Sequence, residues 1–172
     1  LLVLVDPWII QGGAGLAAEQ LRPWLEHKYG IRIGNDILIS LLKEKAIIDL
    51  VPDYTALTEY GFDIDPNGEM RGCYDTEHPI TRGFDQKMYL YAARTVGLVK
   101  PMPDGVTGSE ILRTMPDTYA EEDLHTYYGK QTASVDADEQ KGSLPVAVAV
   151  AAKTNVPVGD SGQTRDARIV VV

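Results

Sequence analysis

Several short stretches of the chain carry residue types that could do chemistry. Gly159-Asp160-Ser161-Gly162 spells the tetrapeptide that surrounds the nucleophile in one class of serine hydrolases. Such a serine needs a histidine base oriented by a carboxylate. Here His27 lies in a helical pattern, His78 precedes a proline and His125 follows an acidic run. Gly, Asp and Ser are turn formers, so the stretch is expected to be a polar turn between strands. Gly13-Ala14-Gly15-Leu16-Ala17-Ala18 fits the G-x-G-x-x-A form of a dinucleotide-binding turn, with Asp36 downstream at the distance of a ribose ligand. That site requires its first glycine almost directly after a strand, so that a helix N-terminus faces the pyrophosphate. Pro7 to Gly12 intervene here, and a flexible lead into a helix is the expectation.

Asp63-Ile64-Asp65-Pro66-Asn67-Gly68 has the D-x-D-x-N-G order of a calcium loop, with Asp63, Asp65 and Asn67 as the oxygen donors. The position of the bidentate glutamate holds Tyr74, Asp75 comes one step late, and Pro66 stiffens the loop, which favours an ordinary Asx-type turn. Cys73 has no base near it in sequence, and a nucleophilic thiol needs one or a lowered pKa. Glu121-Glu122-Asp123 could be paired carboxylates, but adjacent residues on a helix point in different directions. A charged helix N-terminus complementing the dipole is the better expectation. No catalytic constellation, metal site or cofactor is expected on these grounds.

The elements that must position these groups follow from composition and pattern. With 172 residues and 44% hydrophobic content, the chain can bury a core of ordinary size as a single domain spanning 1–172. A net charge of −9 is the wrong sign for neutralising phosphates, which disfavours nucleic acid and anionic membrane surfaces as partners. One cysteine cannot form an internal disulfide. No stretch approaches the roughly 20 apolar residues that span a bilayer. The chain opens in one apolar run, Leu1 to Val5, and closes in another, Ile169 to Val172, so it is expected to be a piece of a longer protein.

Leu1 to Val5 has the continuous apolar character of a strand buried on both faces, the pattern of a parallel sheet. Leu16 to Tyr29 repeats at helical spacing, and Pro23 predicts either a kink or a second helix with Pro23 in its first turn; Gly30 is a suitable stop. Ile31 to Ile33, Ile37 to Leu42, Met88 to Tyr91, Thr95 to Val99 and Ile111 to Thr114 are expected strands, as are Pro145 to Ala152 and Ala167 to Val172. Lys43 to Asp85 is the least regular region. Pro116 to Leu124 is expected to form a short helical set of turns, and Tyr127 to Ser143 a mobile polar loop. Strands of both kinds with a crossing helix predict an α/β fold with a layered, mixed or mostly parallel sheet.

Taken in order, several segments resemble the auxiliary components of ABC-type transport systems of the gliding-motility-associated family. Leu1 to Val5 followed by Asp6-Pro7 is similar to the family's central strand, and Tyr29 to Asp36 to its turn into the next strand. His78-Pro79-Ile80-Thr81-Arg82-Gly83 resembles its most recognisable short motif. Leu112 to Leu124, with Thr114, Pro116, Glu121 and Asp123, resembles its threonine, serine-proline, tryptophan, glutamate, aspartate-leucine segment, with Met115 where serine and Tyr119 where tryptophan are frequent. The last two strands match as well.

The resemblance implies a layered fold similar to class I glutamine amidotransferases, truncated on its N-terminal side. It implies a domain on the outer, extracytoplasmic face of a bacterial cell membrane, tethered by flanking helices, with the transporter's permease and ATPase subunits as partners. It carries no enzyme residues. A sheet cut before its central strand would leave an open edge, and self-association through that edge is a further expectation. The competing expectation is a small-ligand-binding or hydrolytic α/β enzyme using Ser161, Cys73 or the glycine-rich loop after the first strand.

Overall fold

The computed structural model describes residues 2–3, 21–52, 72–130, 132–154, 156–157 and 164–172. Asp6, Pro7, the glycine-rich stretch 13–18, the 63–68 loop and the 159–162 tetrapeptide lie outside the described residues.

The α1 helix spans Leu21–Tyr29, with Pro23 in its first turn. No intrahelical partner awaits an amide there, so the missing N–H costs nothing. Gly30 ends the helix at φ +67°, donating its amide to Glu26 O at 3.0 Å. A side chain there would meet Pro103 Cδ as well as an unfavourable backbone. Strand β2 (Ile31–Ile33) follows at once, with Ile31 and Ile33 buried and Arg32 exposed, the two-residue period of a strand with one face covered. It pairs antiparallel with β6 (Val96–Leu98), Ile33 opposite Val96.

The largest sheet orders its strands β1 (Leu2–Val3), β10 (Ala167–Val171), β9 (Pro145–Ala152) and β7 (Val106–Arg113). The Val and Ala alternation of β9 sorts side chains by size. Val148 and Val150 pack with Ile169, Val171, Leu25, Ile31, Ile33 and Val96, so this face is covered by α1 and the β2–β6 ribbon. Ala147 and Ala149 turn to the other core, shared with Leu38, Ile48, Leu50, Tyr74 and Leu112. Burial on both faces explains why β9 shows no exposed position. Each fully buried Val, Leu or Ile in such a layer contributes roughly 1.5–3 kcal/mol of hydrophobic stabilisation.

Two further antiparallel ribbons complete the architecture. Strands β3 (Ile37–Ser40) and β8 (Thr118–Glu121) pair with Ile37 opposite Glu121 and Ser40 opposite Thr118. Strands β4 (Ile47–Leu50) and β5 (Met88–Tyr91) pair with Asp49 opposite Tyr89. The α2 helix covers Leu124–Lys130. The β3–β8 ribbon is buried on both sides: Leu38 and Ala120 enter the core under β4, while Ile37, Ile39 and Tyr119 pack with Leu124 and Tyr127 of α2.

The expected mixed α/β character is present, but the expectation of a mostly parallel sheet is corrected. Among the described residues only β1 and β10 pair in parallel, and every other strand pair is antiparallel. Two local expectations also change. Pro116 and Asp117 form the turn that starts strand β8, so the region expected to be helical is extended. The polar segment expected to be a loop begins with α2, and its continuation over 132–141 is fastened by main-chain bonds from Ala120 N to Gln140 O at 2.9 Å and from Gly142 N to Thr118 O at 2.8 Å.

Candidate functional site

Among the described residues, the strongest concentration of titratable chemistry lies at the β8–α2 junction. Alternation along β8 puts Tyr119 and Glu121 on one face, against Ile37 and Ile39 of β3 and Leu124 of α2. Glu121 is therefore almost completely buried, at 3% exposure. One of its carboxyl oxygens accepts from Asp123 N at 2.8 Å, and the other accepts from Ser134 N at 3.2 Å. Glu139, also buried, makes the reciprocal clasp: one oxygen accepts from Glu122 N at 3.2 Å and the other from Asp136 N at 2.8 Å. Each carboxyl thus takes one amide from the β8–α2 link and one from the 132–141 strap.

The two carboxyls also influence each other electrostatically. Burial raises the Glu121 pKa above its ordinary value, and Glu139 raises it further by charge repulsion and a side-chain hydrogen bond, against the lowering effect of the Asp123 and Ser134 amides. The Tyr119 hydroxyl is pushed up to about 12, first by burial and then by the charges of Glu121 and Glu139. Asp123 itself is exposed and accepts from Thr126 N at 3.0 Å, the N-cap bond of α2; its hydrogen bonds to Thr126 lower its pKa. Chemically, the arrangement holds two buried carboxyls that fasten the 132–141 strap to the β8–α2 link through four main-chain amides. Among the described residues no group of three or more His, Cys, Asp or Glu is placed to hold a metal ion.

The other candidate residues are drawn into structural bonds. Asp36 is buried and accepts from Thr95 N at 2.8 Å and Thr95 Oγ1 at 2.5 Å, closing the turn between β2 and β3. Burial raises its pKa, while Thr95, Arg94 and Arg22 pull it down. Tyr74, which stands where a calcium loop would place its last ligand, is turned into the core with its hydroxyl 3.0 Å from Leu50 O and 2.9 Å from Gln86 O. Asp75 accepts instead from Glu77 N and His78 N in an Asx turn. Cys73 is buried, its Sγ 3.8 Å from Asp49 O.

The His78–Gly83 segment is a compact turn. His78 Nδ1 accepts from Ile80 N at 3.2 Å, Thr81 Oγ1 donates to Asp75 O at 2.6 Å, and Arg82 N donates to His78 O at 2.8 Å; Pro79 and the Arg82 side chain are exposed. His27 and His125 are exposed on α1 and α2, so the three histidines sit on separate elements. Thr114, fully buried, accepts from Leu144 N at 2.9 Å and donates its main-chain amide to Leu144 O at 2.8 Å, tying β7 to the start of β9; Pro116 is buried in the following turn.

A scan against protein-family models, a search of curated proteins and a search of solved structures each return no match to this chain.

What the structure assembles was only half visible in sequence. Glu121 and Asp123 stood out as an acidic run, but their roles differ, one buried on a strand and the other capping a helix. Glu139, the true partner, lies in a polar stretch without periodicity, and no local pattern marks it. Thr95, which satisfies Asp36, was likewise invisible because only the β2–β6 pairing brings it near.

Proposed function

We propose that the chain is a non-catalytic interaction domain from an auxiliary component of a bacterial ABC transporter of the gliding-motility-associated type, acting on the outer side of the membrane. The observation that carries this reading is how the two most specific motif segments are used. The strand-like segment 73–75 pairs onto the bulged part of β7, with Tyr74 opposite Leu112, Asp75 N donating to Ile111 O at 3.1 Å and Arg113 N to Cys73 O at 2.9 Å. The turn holding His78, Thr81 and Arg82 is thereby joined to the segment holding Thr114, Pro116, Glu121 and Asp123. The motif side chains Thr81, Thr114 and Asp123 close turns, splice strands and cap a helix. A framework of that kind fits a domain whose task is to present a surface, with the permease and ATPase subunits engaged through the full-length protein.

The same proposal makes the chain the second part of a layered domain similar to class I glutamine amidotransferases. The two-sided burial of β9 and the parallel β1–β10 pair support it, and the antiparallel pairs elsewhere weigh against it. Among the described residues no helix is long and apolar enough to cross a membrane. Self-association through open sheet edges belongs to the same proposal, and solution mass tests it: a dimer supports it and a monomer at all concentrations removes it.

The test of the function is complementation. A strain deleted for the full-length gene should lose the transporter's phenotype and regain it with a copy carrying Ser161→Ala, and separately with one carrying Cys73→Ala. Loss of function in a folded Ser161→Ala or Cys73→Ala protein would replace this reading with the hydrolytic one.

A further inference from the structure

We propose that the outer edge of β5 is a self-complementary docking edge, where a second copy of this chain adds its own β5 antiparallel about a two-fold axis through Leu90, so that Tyr89 of one copy bonds to Tyr91 of the other. The pairing rests on the self-association proposed above and gives it a place. Ala92 N donates to Ala46 O at 2.9 Å, in line with the register that sets Ile47 opposite Tyr91. Bonded and non-bonded pairs alternate along an antiparallel ladder, so β4 takes the main-chain groups of Leu90 and Met88. The N–H and C=O of Tyr89 and Tyr91 therefore point away from β4. Among the described residues no other strand pairs with β5, and no main-chain bond outside the ladder ends on either tyrosine.

Any extended segment can use an open edge, and the shape of this one selects a copy of itself. Because only alternate residues face outward, antiparallel pairing centred on Leu90 matches every outward group within β5: the N–H and C=O of Tyr89 meet the C=O and N–H of Tyr91 in the second copy, and the reverse. The tyrosine rings lie on the ribbon face that carries Ile47 and Asp49, 50% exposed at Tyr89 and 71% at Tyr91, and the two-fold sets them opposite each other as cross-strand aromatic pairs. Met88–Tyr91 holds no charge, no proline and no bulge, devices that close an edge to pairing, so the net charge of −9 on each copy is not concentrated at the joint. The adjacent Lys87 is drawn toward β4 by Asp49, 3.0 Å away. Pairing turns a two-stranded ribbon, a marginal unit by itself, into a continuous sheet of β4, β5 and their copies, with Met88 and Leu90 still packed on the core.

The test combines sedimentation equilibrium with amide hydrogen exchange on the unmodified chain over a concentration series. The chain should pass from monomer to dimer, and the Tyr89 and Tyr91 amides should slow in step, about tenfold once about nine-tenths of the chain is dimer, because exchange follows the open fraction. The Leu90 amide, bonded to β4, is the reference and should be protected even in the monomer. Tyr91→Pro removes an outward N–H and no ladder bond, and should stay monomeric at concentrations where the unmodified chain is dimeric, with its Leu90 amide still protected. A dimer whose Tyr89 and Tyr91 amides exchange as fast as in the monomer would overturn this edge while leaving self-association through another. A monomer at every concentration overturns the second copy as occupant, whether the two amides stay open or are slowed only by an added membrane extract, the sign of another protein's strand.

Discussion

The carboxyls of Glu121 on β8 and Glu139 on the strap clasp the same two stretches of main chain, each accepting one amide from the β8–α2 link and one from the strap. Two acids are thereby placed in buried positions, each satisfied by two main-chain donors. The cost is offset by what the pair organises, since it fixes the start of α2 and the return of the chain toward β9.

The first consequence is a pH dependence of stability with a definite sign. The folded-state pKa of Glu121 is raised above its ordinary value of 4.5, so the folded chain binds a proton that the unfolded chain has already lost. This group's contribution is therefore fully present below about that value and declines as pH rises through the folded pKa. Thermal unfolding followed from pH 4.5 upward should show the melting temperature falling over this window, and Glu139→Gln should flatten the slope. A melting temperature that rises through the same interval in the parent and in the variant alike would contradict the assignment.

A second prediction concerns the turn between β2 and β3. A Cβ on Gly34 would overlap Asp36 Oδ2 and Thr95 Oγ1, the two atoms of a part-buried hydrogen bond. Gly34→Ala should push them apart and leave a buried carboxylate without its hydroxyl donor, costing roughly 2–4 kcal/mol. Thr95→Ser keeps the donor and should cost less than Thr95→Val. Denaturant midpoints for the three variants check the order.

Thr114 gives a third. Its hydroxyl accepts from Leu144 N in a fully buried position. Thr114→Val preserves shape but leaves that amide unsatisfied, for a loss of about 1–3 kcal/mol, while Thr114→Ser should recover most of it. Urea unfolding separates the two, and a larger loss in Thr114→Ser than in Thr114→Val would place the role in the methyl group.

The clasp of Lys43 and Lys87 around Asp49 should, by contrast, matter little. Burial tends to raise the Asp49 pKa, but the hydrogen bonds and charges of the two lysines win and lower it. Its stabilisation is present above the ordinary value of 3.8 and lost as pH falls through the depressed one. Because both lysines are solvent-exposed, Lys87→Met is expected to cost less than about 1 kcal/mol and to lose its effect in high salt. A larger, salt-independent loss would show that the exposed Tyr89 ring, which both lysines overlie, contributes more than the ion pairs.

How much of this was legible in sequence depended on where each element finds its partners. Strand β9 announced itself because Val and Ala alternate with the strand period, and α1 because Pro23 and Gly30 punctuate its two ends. Strand β8 did not, since burial on both faces erases alternation and its glutamate imitates a helix N-terminus. The parallel pattern of the first run was met only where β1 lies beside β10, and the antiparallel majority arises from pairings between distant segments that no local pattern encodes. At the candidate site Asp123 was visible as a helix-start charge, whereas the clasp made by Glu121 and Glu139 depends on the strap folding back over β8.

The central claim, that this chain works by engaging a transporter, is tested most directly by what the full-length protein holds in its native membrane. Affinity purification of the tagged protein from gently solubilised membranes, with quantitation of copurifying subunits by mass spectrometry, should recover an ABC permease and its ATPase in fixed stoichiometry, and a tagged unrelated membrane protein should not. Recovery of neither subunit, together with hydrolysis of a small ester or amide by the purified chain that Ser161→Ala abolishes, would contradict the account.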